Sequence, residues 1–227
     1  MEIVEAIKIR KSIRGYKPDP PPREVLAQIL NIARHAPSGV NKQPWEFIVL
    51  TGDALDEAKR INAEFFASGA EFSPDIPDSK LTGPYRKRQV VLAKQLFHLM
   101  EITREDKQKR LDWESKGMCF FDAPTAMLIC VDDEVFSNPL CFIDVGAVLQ
   151  TIALAALEFG LGTCIEHMVV LYPKKKKKAL GIPESKRLLV GIALGYPDED
   201  NPANKIQSER ESLDNLVSWK GFTKCGC

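Results

Sequence analysis

Apolar residues recur at helical spacing in the first part of the chain. Ile3, Val4 and Ile7 predict a short first helix. The stretch PPPREVLAQILNIARHA, which begins with prolines, predicts a second helix with one apolar face. That face consists of Val25, Leu26, Ile29, Leu30 and Ala33. FIVL then predicts a first strand over residues 47–50, and DALDEAKRINAEFFA predicts a capped helix.

The region of about residues 70–118 breaks this alternation. The stretch SGAEFSPDIPDSKLTGP is rich in Ser, Gly, Asp and Pro, which predicts a loop. A helix is expected from Tyr85 to about Met100, and the charged stretch TREDKQKRLDWES is expected on the surface. Together these segments predict a helical excursion from the main body.

The second half of the chain mixes strands with helices. TAMLICVD predicts a buried strand, and Asp144–Phe159 predicts a central apolar helix that Gly160 and Gly162 end. TCIEHMVV and RLLVGIAL predict further strands, separated by a helix that begins at Pro173. Because no repeat or linker is visible, we expect a single domain over residues 1–227.

Composition narrows the classes of function. Hydrophobic residues make up 44% and charged residues 27% of the 227 residues, which is ordinary for a soluble globular protein. The formal net charge is zero and the isoelectric point is about 6.8, so no overall field favours binding to nucleic acid or an anionic membrane. Any anion must therefore be bound by a local cluster of charges.

The termini and the cysteines indicate a cytoplasmic protein. The N-terminal stretch MEIVEAIKIRKSIRGY has acids ahead of its bases and no apolar core, so we do not expect a secretory signal. Gln150, Glu158 and glycines interrupt the apolar stretch from Val145 to Gly162, which predicts a buried helix instead of a membrane span. Scattered cysteines in such a chain indicate free thiols in a reducing compartment. They are Cys119, Cys130, Cys141, Cys164, Cys225 and Cys227.

Two basic stretches are candidates for anion binding. RKSIR places Arg10, Ser12 and Arg14 close together, and guanidinium groups with a hydroxyl suit a phosphate. The same bases would also complement the dipole of the preceding helix. The lysine run 174–178 follows Pro173 at a helix start, so we expect a solvated helix surface there. The three histidines lack partners at metal-ligand spacing, and no metal site is predicted.

The connection in RHAPSGVNKQPWEFIVLTG carries more polar side chains than a helix-to-strand turn needs. Pro37 and Gly39 suit a turn, whereas Ser38, Asn41 and Gln43 add hydroxyl and amide groups that can bind a ligand. A merely polar turn explains the first two residues but not the whole cluster. We call residues 37–43 the polar loop.

Five stretches of the chain, taken in order, resemble the FMN-dependent nitroreductase family. They are RKSIR, APSGVNKQPWEFIVL, FFDAP, GLGTC and GIALGYPDEDNPANKIQSERESLDNLVSWKGF. The resemblance covers nearly the whole chain, and the section from GPYRKR to FFDAPTAMLICVD looks most like the nitrobenzoate reductase-like branch. It implies an α+β fold with a central mixed or antiparallel sheet flanked by helices. It also implies an intertwined homodimer, in which residues 200–227 form a C-terminal extension that reaches the partner.

The resemblance assigns an FMN site at the basic residues. Arg10 and Ser12 fall where the family binds the FMN phosphate, with Lys11 between them, and Arg210 falls where a C-terminal arginine completes that site. Arg14 falls where a base faces the N1/C2=O edge of the flavin. A guanidinium there would stabilise the negative charge of the reduced ring.

Two further segments are expected at the flavin ring. The resemblance places the polar loop along the pyrimidine edge of the flavin that the partner subunit mainly binds, and Trp45 then anchors the following strand in the core. The segment over the other face of the ring consists of Cys164, Ile165, Glu166 and His167. Either Glu166 or His167 would direct a backbone N–H at N5.

One stretch departs from the family pattern. Ahead of FFDAP the family often has an Asn and a basic residue that touch the polar edge of the flavin, and this chain has KGMC there. Either Lys116 replaces that base, or Cys119 leaves the edge less positive and lowers the flavin potential.

The implied function is the reduction of an electron-poor aromatic acceptor such as a nitrobenzoate. NAD(P)H would reduce FMN and leave, and the acceptor would then take two electrons in the same place, which is a ping-pong mechanism without a catalytic side chain. Quinones, activated alkenes and halogenated aromatics are alternative acceptors. A non-catalytic flavin-binding redox sensor that uses Cys225 and Cys227 is the alternative from another class. The choice between NADH and NADPH stays open.

Overall fold

The computed structural model describes residues 1–222. Its helices are α1 (Ile3–Ile9), α2 (Arg23–Ala33), α3 (Gly52–Ala67), α4 (Gly83–Leu99), α5 (Lys107–Met118), α6 (Asp133–Phe136), α7 (Leu140–Glu158), α8 (Pro173–Leu180) and α9 (Leu213–Leu216). Its strands are β1 (Glu46–Thr51), β2 (Thr125–Asp132), β3 (Gly162–Glu166) and β4 (Lys186–Gly195). Helices and strands are mixed along the chain, so the predicted α+β class is confirmed.

The four strands form one antiparallel sheet in the order β1-β2-β4-β3. Glu46 of β1 pairs with Cys130 of β2, and Thr125 of β2 pairs with Leu194 of β4. β2 is an inner strand, and all of its residues except the last are buried. A strand that is covered on both faces needs apolar side chains on both, which explains the nearly continuous apolar run TAMLICVD.

Successive side chains of β2 enter two different cores, one on each face of the sheet. Met127 and Ile129 pack with α2 and α7 on one face. Ala126 and Leu128 pack with α3 and the 3₁₀ turn Phe120–Asp122 on the other face. The predicted arrangement of helices on both sides of a sheet is therefore confirmed, and Trp45 lies buried in the first core as expected.

Helix α1 forms where it is predicted, but its apolar residues face outward. Ile3, Val4 and Ile7 are 68%, 59% and 52% exposed, and Ala6 is the buried residue of this helix. A row of exposed apolar side chains on a helix is typical of a surface that another protein molecule covers.

The starts of α3 and α7 differ from the prediction. α3 begins directly after β1 at Gly52, where φ is +51°, and no side chain caps it. α7 begins at Leu140, earlier than expected, and ends at Glu158. Gly160 follows with φ of +68°, a conformation that favours glycine and stops the helix.

Gly162 does not end α7, as the sequence suggested, but begins β3. A Cβ at this position would lie only 2.4 Å from Cγ1 of Ile13, so glycine is needed for close packing and not for a turn. β3 is also shorter than TCIEHMVV implies, because Met168–Val170 form a 3₁₀ turn.

Helix α7 is long and apolar enough to cross a membrane, with a mean hydropathy of 2.1, and it is the only such helix within residues 1–222. Val145, Val148, Ile152 and Ala156 of α7 lie in the core against α2 and the sheet. The predicted buried core helix is therefore confirmed.

The charged stretch TREDKQKRLDWES lies on the surface as expected, because each of its residues is exposed or half-buried. It forms α5, whose first turn is capped by Asp106 through the Lys109 N–H at 3.0 Å. The end of the helix turns inward, with Met118 buried and the Trp113 ring 5.2 Å from the Phe121 ring. The buried residues of α5, Gly117 and Met118, follow the predicted charged stretch.

The lysine run does not form a fully solvated surface, so this expectation is wrong in part. Three of its lysines are exposed, whereas Lys176 and Lys177 are buried. Lys177 Nζ donates to the carbonyl oxygens of Glu184 and Lys186 at 3.2 and 3.1 Å. These bonds hold α8 against the beginning of β4.

Candidate functional site

The segment that follows α1 runs beside the edge strand β3. Arg10 is the C-terminal cap of α1, and Ser12 then forms a parallel bridge with Thr163. The Ile13 N–H donates to the Thr163 carbonyl oxygen at 2.9 Å. Ser12 and Arg14 therefore belong to an extended segment and not to a helix end, because the edge of β3 offers backbone partners.

A cavity of about 830 Å³ opens beside this segment, and we call it the basic cavity. Arg10, Lys11 and Arg210 line it, and five cationic and two anionic lining side chains give it a net charge of +3. Lys11 Nζ donates to the Asn204 carbonyl oxygen at 2.5 Å, and the Arg210 guanidinium donates to the Ser208 carbonyl and hydroxyl oxygens at 2.8 and 2.6 Å. Such a group of cations can bind a phosphate through charge-assisted hydrogen bonds.

Arg14 and Ser12 do not line the basic cavity. The Arg14 guanidinium lies over the Phe121 ring, 5.8 Å from its centroid. The Arg14 N–H donates to Asn204 Oδ1 at 2.7 Å, and Asn204 Nδ2 donates to the Gly15 carbonyl oxygen at 2.8 Å. Asn204 thus fastens the C-terminal part of the chain to the segment that carries both arginines.

The polar loop is built around a buried carboxylate. Asp144 of α7 accepts the Gly39 N–H at 3.0 Å, and its Oδ2 lies 2.7 Å from Lys42 Nζ. The hydrogen bond from Lys42, with a smaller effect of the Gly39 N–H, holds the pKa of the Asp144 carboxyl below its usual range. Ser38 Oγ accepts the Gln43 N–H at 3.0 Å, which closes the loop.

The backbone of the polar loop is strained. Val40, Asn41 and Gln43 have φ angles of 49°, 55° and 44°, which are unusual for residues other than glycine. Val40 is also 99% exposed. Pro37, Ser38, Asn41 and Gln43 line a second cavity of about 440 Å³. This cavity shares no lining residue with the basic cavity, so one chain does not unite the two halves of the predicted site.

The segment from Cys164 to His167 contains two buried polar atoms without partners. Burial raises the pKa of the Cys164 thiol to about 12, so this thiol stays protonated and is not a nucleophile. Ile165 is 39% exposed. Burial also raises the pKa of Glu166, and within the described residues neither Glu166 Oε1 nor His167 Nε2 has a hydrogen-bond partner. Such atoms mark a place where a water or ligand is expected.

The stretch KGMC lies at the end of α5. Lys116 is exposed, whereas Cys119 is half-buried, with its Sγ 3.7 Å from the Lys59 carbonyl oxygen. Burial raises the pKa of the Cys119 thiol. Neither residue lines either cavity, so the identity of a second base at the flavin edge stays a prediction.

Sequence reasoning missed two residues that organise the site. Asp144 is an isolated carboxylate in an apolar helix, a signal that could have marked it, because a buried charge needs a partner. Asn204 lies in the 3₁₀ turn Pro202–Lys205 of a polar segment, and nothing in its sequence context distinguishes it.

No three His, Cys, Asp or Glu side chains of the described residues are grouped so that they could hold a metal ion. Four cysteines are free thiols, in line with the sequence analysis. They are Cys119, Cys130, Cys141 and Cys164. Cys225 and Cys227 lie outside the described residues, so a redox role for this pair stays untested.

Comparison with known proteins identifies the family. The model of the nitroreductase family matches residues 7–196. A 4-nitrobenzoate reductase of Pseudomonas putida is 29% identical over 216 residues, which cover 95% of this chain and 94% of that protein. A nitrobenzene nitroreductase of Ectopseudomonas oleovorans is 28% identical over 221 residues, or 96% of each protein. The solved FMN and NADPH-dependent nitroreductase NfnB from sphigopyxis sp. strain HMH has a TM-score of 0.93 and 30% identity, and covers 98% of this chain and 100% of that one. The chain therefore belongs to the nitroreductase family.

Proposed function

We propose that the protein is an NAD(P)H-dependent FMN oxidoreductase that reduces nitroaromatic acceptors. The observation that carries this proposal is the meeting of Arg10, Lys11 and Arg210 in the basic cavity of a nitroreductase-family chain. Two similar proteins are a 4-nitrobenzoate reductase and an FMN and NADPH-dependent nitroreductase. These names favour FMN as the cofactor and a nitroaromatic as the acceptor.

The residues present fit FMN. A volume of about 830 Å³ lies within the usual range of ligand pockets, roughly 300–1,000 Å³, and the net charge of +3 suits a phosphate. The chain as a whole has no net charge, so this concentration of cations is local. We assign phosphate binding to Arg10, Lys11 and Arg210, which line the basic cavity. Ser12 does not line this cavity, so its proposed contact with the phosphate rests on the family resemblance alone.

The chain then contributes binding and electrostatics, and bound FMN supplies the two-electron transfer from NAD(P)H to the acceptor. Arg14 is the base that we place at the polar edge of the flavin ring, where positive charge stabilises the reduced form. We place the segment Cys164–His167 over one face of the ring, with a backbone N–H of Glu166 or His167 directed at N5. The Cys164 thiol stays protonated, so it does not act as a nucleophile in this chemistry.

We further propose that the single nitroreductase-like domain works as a homodimer in the cytoplasm. The polar loop lines a cavity separate from the basic cavity, which supports a loop that serves the partner's flavin. The outward apolar residues of α1 and the exposed Leu213, Leu216 and Trp219 of the C-terminal extension supply surfaces for a partner. The four free thiols of the described residues support a reducing compartment.

The test begins with the visible spectrum of the purified protein and its FMN content. Anaerobic addition of NADH or NADPH should bleach the flavin, and 4-nitrobenzoate or nitrobenzene should restore its colour. Arg10→Ala should weaken FMN binding, whereas the exposed Arg23→Ala in α2 is a matched control that should bind FMN like the parent. A protein that takes up no FMN, or a flavin that NAD(P)H does not reduce, would contradict the proposal. Faster reoxidation by quinones than by nitroaromatics would change the acceptor class.

A further inference from the structure

The buried part of the lysine run contacts a buried amide from a distant helix. Lys176 of α8 and Asn62 of α3 are both 0% exposed, and Lys176 Nζ donates to Asn62 Oδ1. Burial lowers the pKa of Lys176 to about 7. A buried amine is costly, and an apolar residue of similar size is often at least as stabilising at such a position. A gain in stability alone therefore does not explain why Lys176 and Asn62 are buried together.

The amide nitrogen of Asn62 connects two chain segments that are far apart in sequence. Asn62 Nδ2 donates to the Met118 carbonyl oxygen at 2.6 Å and to the Val169 carbonyl oxygen at 3.2 Å. The first acceptor ends α5, and the second lies in the 3₁₀ turn that follows β3. With Lys176 on the other side, one side chain joins α3, α5, α8 and this turn.

The end of α5 and the 3₁₀ turn also approach each other at Gly117 and Met168, the residues that precede Met118 and Val169. A Cβ on Gly117 would lie 3.5 Å from Met168 Sδ and 3.5 Å from Phe121 Cζ. Phe121 is the ring under the Arg14 guanidinium. The acceptors of Asn62, on Met118 and Val169, are therefore the sequence neighbours of Gly117 and Met168, the pair that lies beside the Phe121 ring and the end of the Cys164–His167 segment.

We propose that Asn62 and Lys176 are positioning residues, which set the separation of the α5 end from the 3₁₀ turn and so place Arg14 and the Cys164–His167 segment against the flavin. This inference rests on the proposed function and deepens it. It predicts that breaking the link changes the properties of bound flavin in a protein that is still folded.

The experiment uses Lys176→Met, Asn62→Leu and the double variant in the full-length protein. The double variant removes the buried amine together with its acceptor, so it should be at least as stable as Asn62→Leu, which leaves the Lys176 amine without a partner. Lys176→Met keeps the bonds from Asn62 to the two carbonyl oxygens, so it should be the most stable of the three variants. It should nevertheless lack both hydrogen bonds from Asn62. If a single variant fails to fold, the double variant still separates stability from positioning.

Lys177→Met is the matched control, because Lys177 is the neighbouring buried lysine and its bonds go to Glu184 and Lys186. The readouts are FMN affinity, the midpoint potential of bound flavin in an anaerobic titration, and the stability to urea. For the double variant we expect about a tenfold change in the ratio of affinities for reduced and oxidised FMN. For a two-electron couple this corresponds to about 30 mV. Lys177→Met should lose stability without this change.

The results distinguish the two proposals. A parent protein that does not bind FMN, or whose flavin NAD(P)H does not reduce, would remove the proposed function. A parent that reacts as proposed, together with folded Lys176→Met and double variants that keep its flavin potential and FMN affinity, would overturn the positioning role alone. An equal potential shift in Lys177→Met would overturn it as well, because that change does not touch the link.

Discussion

The ion pair under the polar loop offers the sharpest test of how the fold holds its candidate site. Asp144→Asn keeps the shape of the side chain and removes its charge. The carboxylate then no longer attracts Lys42 Nζ at 2.7 Å, and its bond from the Gly39 N–H becomes a bond between neutral groups. The side chains of Asp144 and Lys42 are only 7% and 24% exposed, so water screens this pair less than a surface pair.

The expected cost follows from these contacts. A hydrogen bond to a charged, largely buried group contributes about 1.5–3 kcal/mol, so Asp144→Asn should lower the free energy of unfolding by about 2 kcal/mol. A double-mutant cycle with Lys42→Met should give a coupling energy of about 1–2 kcal/mol, because the two side chains touch. If the polar loop serves the flavin of the partner, Asp144→Asn should also weaken FMN binding, and Lys42→Met should do so less.

Urea unfolding at several pH values measures this effect. The folded state lowers the pKa of Asp144, so its stabilising effect is present above the unfolded pKa of about 3.9 and is lost as the pH falls through the folded value. The parent and Asp144→Asn should therefore differ at pH 7 and converge in acid. Equal stability of the two proteins at pH 7, or a difference that persists unchanged in strong acid, would refute the reasoning.

Three further predictions concern the basic residues. Arg210→Ala should raise the FMN dissociation constant about thirtyfold, because loss of a charge-assisted contact costs roughly 2 kcal/mol. Flavin reduction in the loaded fraction should stay near the parent rate. Fluorescence quenching measures the dissociation constant, and stopped flow measures the rate of reduction. Arg14→Ala should lower the flavin potential and slow reduction even at saturating FMN, and an unchanged potential would remove Arg14 from the ring edge. Burial lowers the pKa of Lys176 to about 7, against about 10.4 in the unfolded state. Between these two pH values the unfolded state holds more protons, so the free energy of unfolding should rise with pH by at most about 1.4 kcal/mol per pH unit. Denaturation of Lys176→Met over the same pH range should lack this rise.

The sequence predicted those elements whose pattern is local. In α2 the helical spacing correctly marks the residues that pack on the core, because a helix can bury only one face against a sheet. Leu26, Ile29 and Ala33 of this helix are buried. The run TAMLICVD likewise identified β2 with its observed bounds, since a strand that is covered on both faces needs apolar side chains at nearly every position.

The lysine run shows where a local pattern is insufficient. Its five side chains are chemically identical, and nothing in their order distinguishes the two that are buried. Lys176 is buried because α8 packs on α3, which brings it to Asn62, 114 residues away. The basic cavity has the same origin, because Arg10 and Arg210 meet only through the path of the C-terminal segment along the N-terminal one. The family resemblance places Arg10 and Arg210 in one site, whereas residue patterns alone do not, and their role in phosphate binding stays a prediction.

The exposed apolar residues of α1 have a different explanation. Their spacing correctly predicts the helix, but the rest of this chain does not cover them. Apolar spacing records burial in the working assembly, whereas the structure of one chain shows burial within that chain. Ile3, Val4 and Ile7 are exposed on α1, and Val40 is fully exposed at the tip of a strained loop. Strain and exposed apolar surface persist only where something compensates them. In the proposed homodimer we expect a second copy of this chain to cover both features and to bring a polar loop to each basic cavity. The mismatch between sequence pattern and single-chain burial is therefore a further argument for that proposal.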